Sequence, residues 1–535
     1  MGSSPSIMKP DELIEFRKLN TSIENVEVPA RPENRIVTDK KGFVIFGISI
    51  LILIPFVVYT LVNVDFRYMN YDTDSCGNFC GHKNPVVEGV PCSGGDFTSK
   101  PVLGAMDECI ARNSGPIMIV RQLRLLNNPS DAAFLLKDKS IWRSVLVIFL
   151  PTVLGVLTLV LLRFVPAPFV CGNFIFSGLV LLDTTAFLWV LYFRGTRMPL
   201  VPVVAWTIFA VTILIIFIVI FKRIRLVIQL YKEATKVLAA MPLVVLFSIF
   251  IAFIQVVVFI AAIVNISYMS NSTTPTKRDE NKYTYELSAV AIFTMVFNII
   301  VTLWFMRFLA GIQYMTVAGG VARWYFSKNN DQLNSPVWSS FKVTVRYHLG
   351  TIAFGSLLMT LFAVVKIFLK LCCRNSCSKC CTKLCCNYAE VLLKFLSGNS
   401  YTLTAIHGQS FLRSARRATK LLLTNIGNIV AVNCVGDFVF GVFIMLICAL
   451  ATVFYFNLFN YRITFEIATI YFFINAIIIY VIFGTFQTII DALFICFCED
   501  SVMNDGISRP YYRSRGLMEF MESTKKTLGR QHTQQ

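Results

Sequence analysis

The chain has 535 residues, of which 56% are apolar and only 15% charged, with 49 Lys and Arg against 31 Asp and Glu and a formal net charge of +18. A soluble chain carries roughly 25% charged residues, so a set of water-soluble domains is excluded. The basic excess sits in clusters beside apolar runs, as at Lys222, Arg223 and Arg225, which is the positive-inside pattern of a membrane protein and not a nucleic-acid footprint.

Residues 1–42 form a polar tail read as cytosolic. It opens Met1-Gly2-Ser3-Ser4-Pro5-Ser6, a myristoylation pattern with Gly2 as acceptor. No cleavable signal peptide is evident, because the first apolar run is too long for one. That run, 43–63, follows Lys40 and Lys41 and predicts a first transmembrane helix leaving the cytosol. The loop 64–141 is then extracellular and holds Cys76, Cys80, Cys92 and Cys109. An even count in an oxidising compartment predicts two disulfides, with three connectivities open.

Residues 142–488 read as a transmembrane bundle, with spans near 142–162, 169–193, 199–221, 241–264, 286–310, 349–369, 435–457 and 465–488. Each is about as long as the ~20 residues that cross the ~30 Å hydrocarbon layer as a helix. The runs show no strict alternation, so barrel strands are not expected. The segment 265–285 counts as extracellular and carries sequons at Asn265 and Asn271. Asn271 is the better acceptor, since Asn265 lies close to its span. The segments 321–348 and 370–394 are both basic and both read as cytosolic, yet one crossing at 349–369 cannot put both inside. A moderately apolar stretch, 388–412, supplies a tenth span if 370–387 lies outside. The expected fold class is therefore an all-α integral membrane protein, a polytopic bundle of about ten transmembrane helices. Residues 489–535 form a cytosolic C-terminal tail.

A cysteine-rich segment, 372–386, holds Cys372, Cys373, Cys377, Cys380, Cys381, Cys385 and Cys386. Cys377 and Cys380 make a CxxC, but no histidine lies in the cluster, so S-acylation of juxtamembrane cysteines is favoured over a metal site. No nucleophile elbow, Walker loop, HExxH or dinucleotide fingerprint stands in a suitable context. The four histidines supply no cluster for a lipid-modifying enzyme. Neither an enzymatic activity nor a cofactor is expected.

Several ordered motifs then resemble one family. They are Tyr71-Asp72-Thr73-Asp74-Ser75-Cys76-Gly77-Asn78-Phe79-Cys80-Gly81, Ala318-Gly319-Gly320-Val321-Ala322-Arg323-Trp324-Tyr325-Phe326 and Arg346-Tyr347-His348-Leu349-Gly350-Thr351. Gly398-Asn399-Ser400-Tyr401, Gly436-Asp437-Phe438 and the tail from Asp491 to Asp500 with Asn504-Asp505-Gly506 belong to the same set. The set resembles the choline transporter-like family. The resemblance implies ten helices, both termini inside, a plasma-membrane or mitochondrial address, and transport of choline or ethanolamine in exchange for protons. Arg307 departs from the family pattern, and a fixed cation near a cation pathway repels choline.

Choline is a permanent cation with no N–H, so its site needs aromatic faces. Helical spacing puts Phe293, Phe297, Trp304 and Phe308 on one face. Trp304, Trp189, Tyr192, Trp324 and Tyr325 are the substrate-binding candidates. Packing against helices or lipid is the favoured reading of the Trp304 stripe, and an interfacial belt explains Trp189 and Tyr192 as well as a site does. Trp324 and Tyr325 follow Gly319-Gly320, read as a helix break that lines a site. Asp183 lies inside a span, where an acid is expected to face a cavity or a partner. Asp437 and Glu466 read as helix N-caps, and Asp491 as a residue after the last span. His348 and His407 are candidates for proton coupling. The partners expected are a small organic cation and membrane lipids, with no nucleic acid. The rival readings are a channel or carrier for an anionic solute, motivated by Arg307 and Arg323, and a non-transporting scaffold.

Overall fold

The computed structural model describes residues 35–62, parts of 74–110, and 140–195, 199–221, 224–270, 273–279, 282–327, 335–372, 376–424, 426–458, 465–504 and 512. Gly2, Cys92, Cys373 and Asn271 lie outside the described residues, as do the side chains of Cys372, Cys377, Cys380 and Cys381.

The helices are α1 (Lys40–Val62), α2 (Ser140–Phe164), α3 (Pro166–Phe193), α4 (Leu200–Phe221), α5 (Ile224–Ala240), α6 (Leu243–Met269), α7 (Ala289–Phe326), α8 (Pro336–Tyr347), α9 (Leu349–Cys372), α10 (Ser376–His407), α11 (Phe411–Thr424), α12 (Ile426–Leu458) and α13 (Phe465–Met503). Eight contain a segment long and apolar enough to span a bilayer: α1, α3, α4, α6, α7, α9, α12 and α13. The described apolar part of α2, Phe149–Phe164, is shorter. The protein is an all-α polytopic membrane protein. The remaining elements are three two-stranded antiparallel sheets. The longest is the hairpin β5 (Thr273–Asp279) and β6 (Lys282–Leu287) between α6 and α7.

Helix ends meet at one face of the bundle. Thr38 N donates to Tyr347 O at 3.2 Å, tying the start of α1 to the start of α9. Asp39 Oδ2 accepts from Phe411 N at 2.9 Å, which caps α11. Gly42 and Gly350 let α1 and α9 touch: a Cβ on Gly350 would collide with the carbonyls of Thr38 and Asp39. The amphipathic helices α8 and α11 lie along this amino-terminal face. On α11, Phe411, Ala418 and Leu421 are buried and Arg413 and Arg416 exposed. On α8, Trp338 is exposed with Lys342 over its ring at 5.6 Å, an interfacial pairing.

Pairing fixes how α9 and α10 run: Lys366 pairs with Glu390 along the two helices, while Ala405, near the end of α10, meets Arg35. The two helices are therefore antiparallel, and the start of α9 and the end of α10 share the amino-terminal face.

Several boundaries differ from the apolar runs. α7 continues past Arg307 to Phe326 without a break at Gly319-Gly320. The glycines serve packing: a Cβ on Gly319 would collide with Ser340 of α8, whose Oγ donates to Thr316 O at 2.8 Å. α12 begins at Ile426 and α13 runs to Met503, so Asp437 is no N-cap and Asp491 is interior to its helix. Asn265 lies inside α6 and is half-buried. In the loop after α1, Cys80 is bonded to Cys109, and Cys76 is disulfide-bonded as well. A glycosylation sequon on a flexible linker placed after Cys372 should be modified in cells, and the same insertion between α7 and α8 should not. The gel shift on deglycosylation reads the difference.

Candidate functional site

The amino-terminal face carries a connected polar network. Glu499 of α13 is wholly buried (0% exposed), yet it is held by His407 Nε2 of α10 at 2.5 Å and by the Arg417 guanidinium of α11. A carboxylate out of water needs such partners. Three buried atoms of this triad have no hydrogen-bond partner: Glu499 Oε2, His407 Nδ1 and Arg417 Nε. Next to Glu499 in sequence, Asp500 Oδ2 accepts from Tyr325 Oη at 2.9 Å and from Tyr512 N at 3.1 Å, and Oδ1 from Asn504 Nδ2 at 2.7 Å. The ends of α7, α10, α11 and α13 are thus joined through adjacent acids.

A second cluster adjoins it. Arg35 donates to Ala405 O at 2.5 Å and to His348 Nε2 at 3.0 Å, while His348 Nδ1 meets Thr38 Oγ1 at 3.1 Å. Arg35, Arg323, Ser340, Thr344 and His348 line a cavity of about 10 Å³, the size of one water. Burial, then the nearby Arg323, push the Arg35 guanidinium down to about 10, so it remains a cation at neutral pH. Burial, then Arg35, push His348 down to about 3. His348 is therefore a neutral acceptor clamped by Arg35, and its surroundings argue against proton exchange near neutrality. His407 keeps a carboxylate partner.

The aromatic candidates are placed apart. Trp304 is buried, donating Nε1 to Ala353 O and to Ser356 Oγ at 3.1 Å each, with Phe46 edge-on at 5.0 Å. Its ring is packed by α1 and α9 and forms no open cage. Arg307, on the same helix, acts electrostatically on Tyr401 of the neighbouring α10. Trp189 Nε1 donates to Thr207 Oγ1 at 3.1 Å, bridging α3 and α4, and Trp189 meets Tyr192 edge-on at 6.0 Å. Trp324 and Tyr325 are buried in the main core at the end of α7, not at a break in mid-membrane. Asp183 is exposed on the outside of α3 rather than facing a cavity within the bundle. Among the described residues no group of His, Cys, Asp and Glu could hold a metal ion. Arg35, Arg417 and Glu499 were not legible as site residues, because their partners lie far away in sequence.

Replacing Glu499 with Ala leaves His407 and Arg417 without the acid that holds them, and should cost about 3–5 kcal/mol of stability, read as a lowered thermal midpoint in detergent. His348 has a folded-state pKa below its ordinary value of 6.5, so the unfolded chain binds the extra proton. Its stabilisation is complete above pH 6.5 and is lost as pH falls toward about 3. His348→Gln should flatten that part of the thermal-midpoint profile.

Comparison with known proteins places the geometry in a family. The family model described as plasma-membrane choline transporter matches residues 204–502, which runs from α4 to the end of α13. Choline transporter-like protein 1 of Rattus norvegicus is 28% identical over 414 residues, covering 71% of this chain and 63% of the relative. The chain thus spans under two thirds of that relative's length. Choline transporter-like protein 2 of Dictyostelium discoideum is 31% identical over 58% of this chain and 52% of its own length. Choline transporter-like protein 3 of Homo sapiens is 25% identical over 85% of this chain and 86% of its own. The matched segment covers more than half of the chain, and the chain belongs to the plasma-membrane choline transporter family.

Proposed function

We propose that this chain is a multi-pass transporter of choline, or of a close relative such as ethanolamine, acting at the plasma membrane with its amino-terminal face in the cytosol. The observation that carries the reading is the family match from α4 through α13. The orientation is supported by Lys40, Lys41, Arg413 and Arg416, which are exposed at that face. The disulfide-bonded loop after α1 supports it from the other side, since disulfides persist in oxidising compartments.

The polar network suits a cytosolic gate. A carrier that opens to the cytosol at this face has to part the ends of α7, α10 and α13, and the bonds of Glu499 and Asp500 hold them together. Protonating Glu499 removes the charge that grips His407 and Arg417. A proton arriving at this triad would therefore loosen the gate, which gives proton coupling a physical route through His407 and Glu499.

The anionic-solute reading keeps one supporting observation, the Arg307 guanidinium inside α7, for which no hydrogen bond or ion pair occurs among the described residues. One experiment separates the two. Proteoliposomes holding the full chain should accumulate labelled choline or ethanolamine, with a rate that depends on the pH difference across the membrane. Absence of uptake of either above protein-free vesicles, with insertion confirmed, overturns the proposal. Uptake of a labelled organic anion instead, lost in Arg307→Gln, installs its rival.

A further inference from the structure

Three segments meet where the bundle enters the membrane on its amino-terminal face. Thr38 N is bonded to Tyr347 O at the end of α8, and Asp39 Oδ2 accepts from Phe411 N at the start of α11. The apolar spans of α1 and α9 begin at Lys40 and Leu349, so these bonds lie at the edge of the apolar layer. The helices α8 and α11 are 12 and 14 residues long, too short to cross that layer. They are held at the depth of the lipid headgroups.

The outer sides of both helices mix basic with large apolar residues. On α8, Trp338, Lys342, Val345 and Arg346 are exposed and fall at i, i+4, i+7 and i+8, one side of the helix. Val337, Ser340, Val343 and Thr344 are buried on the other. On α11, Leu412 (52% exposed), Arg416 and Leu423 (65% exposed) form the outer line, with Arg413 beside it. The segment bonded to both helices leaves Ile36 73% exposed, and Lys40 and Lys41 are exposed too. Neither helix contains an acid. The acids nearby have partners of their own, Asp39 in Phe411 N and Thr351, Glu499 in His407 and Arg417. Arg413 and Arg416 form no ion pair among the described residues.

Like charges crowded on one surface repel, and exposed leucines beside them gain nothing from water. A partner that is anionic at its boundary and apolar below it satisfies both. We infer that α8, α11 and the start of α1 form a docking surface for an anionic phospholipid of the adjoining leaflet. The guanidinium forks of Arg346, Arg413 and Arg416 suit the phosphate and carboxylate oxygens of its headgroup. Leu412, Leu423 and Trp338 enter the acyl boundary beneath. Arg417 leaves the buried side of α11 for Glu499, so a lipid that holds the outer side of this helix steadies the charge network on its inner side. The headgroup charge follows from the surface itself; that the leaflet is cytosolic rests on the proposed orientation.

The test titrates the full chain, purified in detergent, with dioctanoyl phosphatidylserine and follows its thermal midpoint. Dioctanoyl phosphatidylcholine and glycerophosphoserine, the same headgroup without acyl chains, run alongside. Phosphatidylserine should raise the midpoint, and the other two should not. Arg413→Gln combined with Arg416→Gln should raise the half-maximal phosphatidylserine concentration about tenfold or more. Arg413→Lys with Arg416→Lys should keep most of the response, and Arg194→Gln, at an exposed arginine just past α3, should respond as wild type. If the glutamine variant does not fold, Leu412→Ser with Leu423→Ser takes its place and should lose the response likewise. An equal shift with phosphatidylcholine reduces the surface to ordinary lipid contact, and an equal shift with glycerophosphoserine to a free-anion site. Either overturns the inference, as does a wild-type response in the folded variants or no shift with phosphatidylserine. A phosphatidylserine response lost in the variants, without choline uptake by the wild type in proteoliposomes, sustains the surface and sinks the transport reading.

Discussion

A carboxylate kept out of water sets the terms for one whole face of this protein. Glu499 is buried near the end of α13 and is tolerable there only because His407 and Arg417 reach it. The desolvation penalty of an unpaired buried charge is several kcal/mol, so the acid dictates where its partners must be. Those partners belong to α10 and α11, and the end of α10 in turn holds Arg35 through the Ala405 carbonyl. Arg35 clamps His348, and Asp39 caps α11, so α1 and α9 are drawn into the same network. Five helices are positioned by one requirement for charge compensation.

Beside this network the helices are held differently. There Trp304, Phe46, Phe308, Tyr401 and Phe411 belong to one apolar cluster drawn from α1, α7, α9, α10 and α11. Such packing has no single bond whose loss frees the helices, and it yields gradually. A polar network yields all at once when a proton or a partner is removed.

The spans were legible because hydropathy is compositional: ~20 apolar residues in a row have few other physical outcomes. The helix ends were not. The apolar run of α7 was read as ending near residue 310, but the helix continues to Phe326, where Arg323 finds Ser339 and the glycines admit α8. The same error placed Asp437 at a helix start and Asp491 beyond a helix end. The course of 349–412 stayed open in the sequence because a charge count ignores partners such as Lys366 and Glu390, which set α9 and α10 antiparallel. The site candidates drawn from aromatic spacing were real aromatic clusters, but spacing along one helix says nothing about what fills the opposite side. Trp304 is filled by Phe46 and the α9 backbone. His407 and Glu499 are 92 residues apart, and no local pattern announces their meeting.

Charge, more than aromatic content, separates the two ring clusters as places for a cation. The Trp304 cluster has Arg307 on the same helix, acting on its Tyr401. A fixed guanidinium repels any ammonium ion brought near it, the more so because the surroundings screen poorly. The Tyr231 cluster, with Phe440 and Phe486, has comparable rings, and Asp437 and Asp491 act electrostatically on its phenol. The two clusters use largely different helices, α1, α7, α9, α10 and α11 for one and α5, α12 and α13 for the other. Arg307 therefore disfavours an ammonium ion at the Trp304 cluster, whatever the aromatic content there.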